Sequence, residues 1–352
     1  DQGWTVIAPS ARFDIRIEVD LIEEIARIHG YDSIPETTLS AQSPLETVTE
    51  SRVDMERAGA TLIARDYQEI VTYSFIDAEA NTKFTGTASP LVLSNPISSE
   101  LSVMRSSLWP GMVAAAASNL SRQQERVRLF EASRSYHGTL DDHFEVVRLA
   151  GLATGAVAPE QWGVKAEAVD FFDVKADVEA VLSLACDLGE VRFEAFEHTA
   201  LQPGQAAQIV RDGAVIGVMG KLHPRLARDY DLKRGVYLFE LDVEKALASK
   251  APAASVISKY PAIRRDLAVV VDEQVSADQL VDAVASSAPD LIRDVRIFDI
   301  YTGDRIEAGR KSVAIGLILQ ETSRTLTDDD ADSAMAAAVD ALEKKFAAYL
   351  RD

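Results

Sequence analysis

Apolar residues recur along this chain with two different periods, and the switches between them lay out its elements. Near the N-terminus an extended segment runs into a short helix, which Asp20 caps, with Glu23 at the third helical position and Gly30 past its end. A second helix is expected over Glu50 to Asp66, with Val53, Ala60 and Ile63 among its apolar positions. Short apolar runs then dominate. Residues 69–75, 90–96, 127–132, 149–154, 208–210 and 215–219 read as strands, broken by an Ala-rich helix from Met112 to Leu120 and another from Phe172 to about Leu188. Strands outnumber helices and several are spaced as hairpins, which predicts an antiparallel sheet flanked by helices.

The last hundred residues follow a different order. A strand at 266–271, a helix from Ser276 to Ser286, strands at 292–301 and 311–320 joined around Gly303 to Gly309, a long helix capped by Thr327 and a short strand at 348–351 make β-α-β-β-α-β. Asp328, Asp329 and Asp330 suit the first turn of the long helix, and Met335, Val339, Leu342 and Phe346 are spaced to face a sheet. Breaks at Ser40 to Pro44 and at the Ala- and Pro-containing stretch 248–254 divide the chain into residues 1–42, 43–250 and 257–352. The predicted class is α+β, ending in a ferredoxin-like sandwich.

Composition narrows the function. An apolar share of 47% and a charged share of 26% are those of an ordinary globular protein. One cysteine, Cys186, rules out an internal disulfide and fits a reducing, cytoplasmic setting. No apolar run is long enough to span a bilayer. A net charge of −20 argues against generic nucleic-acid binding, since each of the three segments is acidic, so any RNA contact must be local. The five histidines lack ligand spacing or a nucleophile companion, and no Walker loop or dinucleotide fingerprint is present. No catalytic residue is assigned.

The densest candidate chemistry is the acidic run 14–24, where Asp14, Asp20, Glu23 and Glu24 must share space with a cation, a partner's basic group or water. Mg2+ is a natural counterion for such carboxylates. A capping box and an i,i+4 pair between Glu23 and Arg27 explain the same residues without a metal.

Residues 12–35, R-F-D-I-R-I-E-V-D-L-I-E-E-I-A-R-I-H-G-Y-D-S-I-P, resemble a signature of the phenylalanyl-tRNA synthetase β subunit family. So do the run from Asn95 to Met112, Leu129 to Arg134 (with Ser133 where glycine is usual) and Gly217 to Pro224. Gln202 and Gln205 stand where the family pattern has histidine and arginine. Tyr260 to Leu267, Phe298 to Gly303, Lys311 to Ala314 and Arg324 to Asp328 continue the resemblance into the last segment.

That resemblance implies a fold and a division of labour. Residues 1–42 would close a small metal-binding domain, with Asp14, Asp20, Glu23 and Glu24 as Mg2+ ligands. Residues 43–250 would be a class II synthetase core that has lost its chemistry, because adenylation needs arginines over the developing phosphorus charge and only Arg105 offers a likeness of one. The strand 216–220 is followed by Lys221 instead of the expected arginine pattern. Residues 257–352 would recognise the tRNA anticodon, with Arg264, Arg265, Tyr301, Arg305, Arg310, Lys311 and Arg324 as contacts, since unpaired bases stack on aromatic and guanidinium planes. The implied holoenzyme is an α2β2 phenylalanine–tRNA ligase whose α subunit binds ATP. The first residues, Asp-Gln-Gly-Trp, lead us to expect a fragment of a longer chain. A stand-alone RNA-binding or regulatory module on the same scaffold is the competing reading, and a self-sufficient synthetase a third.

Overall fold

The computed structural model describes residues 3–40, 51–86, 90–249, 251, 254, 257–303 and 305–351. The expected breaks at 41–44 and around 250–253, and the helix start at Glu50, lie outside these residues. Two compact units emerge, Asp1–Thr49 and Glu50–Asp352. In the first, α1 (Glu18–His29) ends at Gly30, whose φ of 90° suits glycine, and a single 3-10 turn follows at Tyr31–Ser33. The helix begins three residues earlier than the capping pattern predicts. Asp20 is therefore its third residue and not its cap, and it reaches back to accept from the Arg16 and Ile17 N–H groups at 2.7 and 3.0 Å.

The second unit carries α2 (Met55–Ile63), β1 (Gln68–Glu69), β2 (Phe75–Ile76), α3 (Ala78–Thr85), β3 (Val103–Met104), α4 (Trp109–Ser121), β4 (Val127–Gly138) and β5 (His143–Thr154). After them come α5 (Phe171–Leu182), β6 (Val191–Ala195), β7 (Leu201–Arg211), β8 (Ala214–Leu222), α6 (Pro224–Asp229), β9 (Val236–Asp242) and α7 (Val243–Ala246). Seven strands form one sheet in the order β1-β4-β5-β9-β8-β7-β6, antiparallel except for the short β1, which runs parallel to β4. Both faces of this sheet are covered. On one lie α2 and α5, with Leu62, Phe130, Val178 and Phe239 at 2% exposure or less; the other is packed by α4, with Trp109, Met112, Leu152 and Leu238. Each such side chain contributes roughly 1.5–3 kcal/mol of burial.

Three expectations fail here for identifiable reasons. The buried stripe of α2 is Ala58 and Leu62, while Ala60 and Ile63 face solvent, because Asp54 caps the helix through the Arg57 N–H and sets its phase. The run 69–75 is split into β1 and β2. The run 90–96 makes only an isolated bridge, Val92 to Val103, since Pro90 and Pro96 limit ladder donation.

The remaining elements are β10 (Ile263–Asp272), α8 (Ala277–Ala285), β11 (Ile292–Tyr301), β12 (Arg310–Leu319), α9 (Asp328–Phe346) and β13 (Tyr349–Leu350), with sheet order β11-β12-β10-β13. This ferredoxin-type sandwich follows the predicted order. Both helices lie on one face, over Val269, Val271, Ile315 and Leu317. Ala331, Ala334, Ala338 and Leu342 supply most of the α9 contact, an alanine stripe that lets the helix sit close, while Met335 and Phe346 pack at its edge.

Candidate functional site

The sandwich face opposite its helices holds the most coherent site. Strand alternation sends Leu267, Val269 and Val271 to the core and Arg264, Asp266 and Ala268 to the other side. Gly316 lies across from Asp266 on β12, and a Cβ there would sit 3.2 Å from the Arg264 guanidinium and 3.0 Å from Asp266. The missing side chain lets Arg264 lie flat across the sheet, 5.3 Å from the Phe298 ring, with its Nε donating to Asp266 at 2.8 Å. The pattern repeats twice. Arg351 stands 4.8 Å over the Tyr301 ring, and Arg310 stands 5.5 Å over Tyr349. Three guanidinium-on-aromatic stacks thus share one face, and each offers a flat cationic surface at solvent.

Of the seven expected RNA contacts, the structure gathers Arg264, Tyr301 and Arg310 here. Arg305 is exposed on the β11–β12 turn, and Lys311 donates to the Glu273 carbonyl at 3.0 Å. Arg265 and Arg324 serve the start of α9 instead. Arg265 pairs with Asp328 at 2.6 Å, and Arg324 grips both oxygens of Asp330 at 2.6 and 2.9 Å. Arg324, with the Thr327 N–H and hydroxyl, holds the Asp330 carboxyl well below the usual range. Arg351, Phe298 and Tyr349 were missed. Tyr349 on the last strand and Arg351 just past it are two residues apart, and that period of two was the signal available.

The seven-stranded module has a polar interior of its own. Arg105 is 1% exposed and fully engaged on one side, with Nη1 donating to Glu131 at 2.9 Å and to Thr72 Oγ1 at 2.8 Å, and Nε to the Arg134 carbonyl at 3.1 Å. Its Nη2 is buried without a partner among the described residues. Next along the sheet, Glu240 accepts from the Ser107 hydroxyl at 3.0 Å and the Leu108 N–H at 2.8 Å, and burial pushes its pKa up. The opposite face of the same strands is filled by Phe239. A Cβ on Gly151 would lie 2.0 Å from the Phe239 ring.

In the N-terminal unit, Arg12 sits between two of the four carboxylates. Its Nη2 is 2.7 Å from both Asp14 and Glu24, and Arg27 reaches the other Glu24 oxygen at 2.7 Å. Asp20 is turned to the backbone and Glu23 is exposed. Among the described residues no group of three His, Cys, Asp or Glu is placed to hold a metal, so the four carboxylates as arranged do not fit an ion. Arg12 and Arg27 lower the Glu24 pKa to about 2. Because the folded value is depressed, the contribution of this pair is present above the ordinary carboxylate range and is lost as pH falls from there towards 2. We expect the Glu24 carboxyl carbon to titrate with a midpoint near 2 by NMR, and Arg12→Ala to raise it. A midpoint in the ordinary carboxylate range in the unsubstituted protein would contradict the pairing.

Fold and site together define an α+β protein in which a ferredoxin-type sandwich with a stacked arginine–aromatic face follows a large antiparallel sheet. Comparison with known families matches three family models along the chain. Residues 34–243 match the phenylalanyl tRNA synthetase beta chain CLM domain, residues 258–351 the ferredoxin-fold anticodon binding domain, and residues 1–31 the tRNA synthetase B5 domain. The phenylalanine–tRNA ligase beta subunit of Pseudomonas syringae pv. tomato is 44% identical over 351 residues, covering 100% of this chain and 44% of its own length. That of Methylococcus capsulatus is 44% identical over 355 residues with the same coverage, and that of Nitrosococcus oceani is 45% identical over 94% of this chain and 42% of its own. The chain belongs to the phenylalanine–tRNA ligase beta subunit family. It spans less than half the length of these curated relatives.

Proposed function

We propose that this chain serves as the non-catalytic β portion of an α2β2 phenylalanine–tRNA ligase in the cytoplasm, supplying tRNA contacts and subunit interface while the α subunit binds ATP and makes the bonds. The observation that carries the reading is the triple stack Arg264–Phe298, Arg351–Tyr301 and Arg310–Tyr349 on the free sheet face. Exposed and half-buried rings and guanidinium planes at the surface suit unpaired bases, and in an acidic chain they concentrate attraction for RNA locally. Residues 257–352 are the anticodon module of this proposal. Residues 43–250 are a degenerate class II core, supported by the burial of Arg105 in its ion pair with Glu131 on one face of the sheet. Residues 1–42 belong to a small acidic domain in which Arg12 is the counter-cation. Mg2+ at Asp14, Asp20, Glu23 and Glu24 would have to displace that guanidinium, and no step proposed here depends on it.

No helix among the described residues is long and apolar enough to cross a membrane. The test is reconstitution. The α subunit mixed with this chain is expected to form a complex that charges tRNA with phenylalanine. Absence of both complex and charging would favour the stand-alone RNA-binding or regulatory reading.

A further inference from the structure

A cleft of about 440 Å³ opens where the segment before β7 meets the start of α6, with Glu197, His198, Thr199, His223 and Arg225 in its lining. Two backbone bonds hold its walls together, from Leu201 N–H to the His198 carbonyl at 3.0 Å and from His223 N–H to the Ala200 carbonyl at 2.8 Å. Both histidine rings are tied down in the same way. His198 Nδ1 accepts the Ala200 N–H at 3.2 Å, and His223 Nδ1 accepts the Arg225 N–H at 3.0 Å.

An Nδ1 that accepts carries no proton, so each neutral ring bears its proton on Nε2. Neither Nε2–H has a partner among the described residues. His198 is further held edge-on to Trp109 at 5.2 Å, and burial pushes its pKa down, which keeps the ring neutral. Arg225 spends one N–H on the Thr199 carbonyl at 3.3 Å and keeps the others. The cleft is therefore rich in donors. Its single carboxylate, Glu197, is exposed.

We propose that this cleft is a binding site for a small oxyanion, a carboxylate or a phosphate, held by the Nε2–H groups of His198 and His223 and by the Arg225 guanidinium. A metal does not suit these rings. Coordination through Nε2 would move the proton to Nδ1 and set it against the backbone N–H that Nδ1 now accepts. Glu197 opposes the ligand's charge and fixes the sign of a control.

The test is an NMR titration of the histidine ring signals in the whole chain, with inorganic phosphate in one arm and acetate in the other. Saturable shifts of His198 and His223 in either arm are expected, and the arm that saturates identifies the source of the oxygens. His198→Asn and His223→Asn keep a side-chain oxygen to accept the same backbone N–H but remove the Nε2 donor, and each should weaken binding about tenfold. Glu197→Gln should tighten it, and Arg225→Ala should weaken it; both act at exposed residues, so they keep the test decisive if an Asn variant folds poorly. Shifts that stay linear in both arms, or tightening that does not follow Glu197→Gln, would overturn the proposal.

Discussion

Glu131→Ala will destabilise the seven-stranded module by about 3–5 kcal/mol, because it leaves the Arg105 guanidinium charged and unpaired in a dry interior. Both groups are about 1% exposed, so water cannot take over the lost partner. Removing Glu131 also strips Thr72 of the carboxylate its hydroxyl donates to at 2.7 Å. In a module of this size the midpoint of thermal unfolding should fall by on the order of 10 °C. The double variant Arg105→Met with Glu131→Leu should recover most of that loss, since paired apolar replacements of similar volume are often tolerated where a single removal is not. Thermal and urea unfolding read both. If the single and double variants prove equally mild, the pair is not the buried anchor described here.

The second large effect concerns RNA. In the assembled enzyme, Tyr301→Ala and Phe298→Ala should each weaken tRNA recognition by about 1–3 kcal/mol, the range found for one base stacked on one ring. That corresponds to roughly a tenfold to hundredfold rise in KM for tRNA. Arg264→Ala and Arg351→Ala should act in the same direction and reduce the salt dependence of binding. Arg265→Ala and Arg324→Ala form the contrast set. Their partners are Asp328 and Asp330 at the start of α9, so they should alter stability slightly and leave KM for tRNA unchanged. Equal effects across the two sets would remove the stacked face from its proposed role.

The sandwich was readable from sequence because its strands alternate cleanly and its helices announce their starts, Thr327 capping α9 as expected and Ser276 capping α8 at the first residue of the predicted helix. The first sheet was less so. Its central strands are covered on both faces and lose the alternation that marks a strand, so β4 and β5 run well beyond the apolar runs that signalled them, and the wholly buried β9 carries Glu240 and Asp242 within it. Local capping decided other departures. Asp54 starts α2 four residues inside the expected helix and turns a different face to the core. At the site, residue type pointed to Arg264, Tyr301 and Arg310. It could not separate them from Arg265 and Arg324, whose carboxylate partners are supplied by α9. Arg351 escaped notice because its ring partner, Tyr301, lies on a strand fifty residues away in sequence and is brought near only by the sheet.

Isotopic exchange between pyrophosphate and ATP, driven by phenylalanine and Mg2+, measures adenylate formation directly and bears most closely on this account. This chain by itself should give no exchange above a blank, and adding the α subunit should restore it. Phenylalanine-dependent exchange by this chain alone would mean that the interior held by Arg105 and Glu131 opens to substrate, and the division of labour argued from it would be wrong.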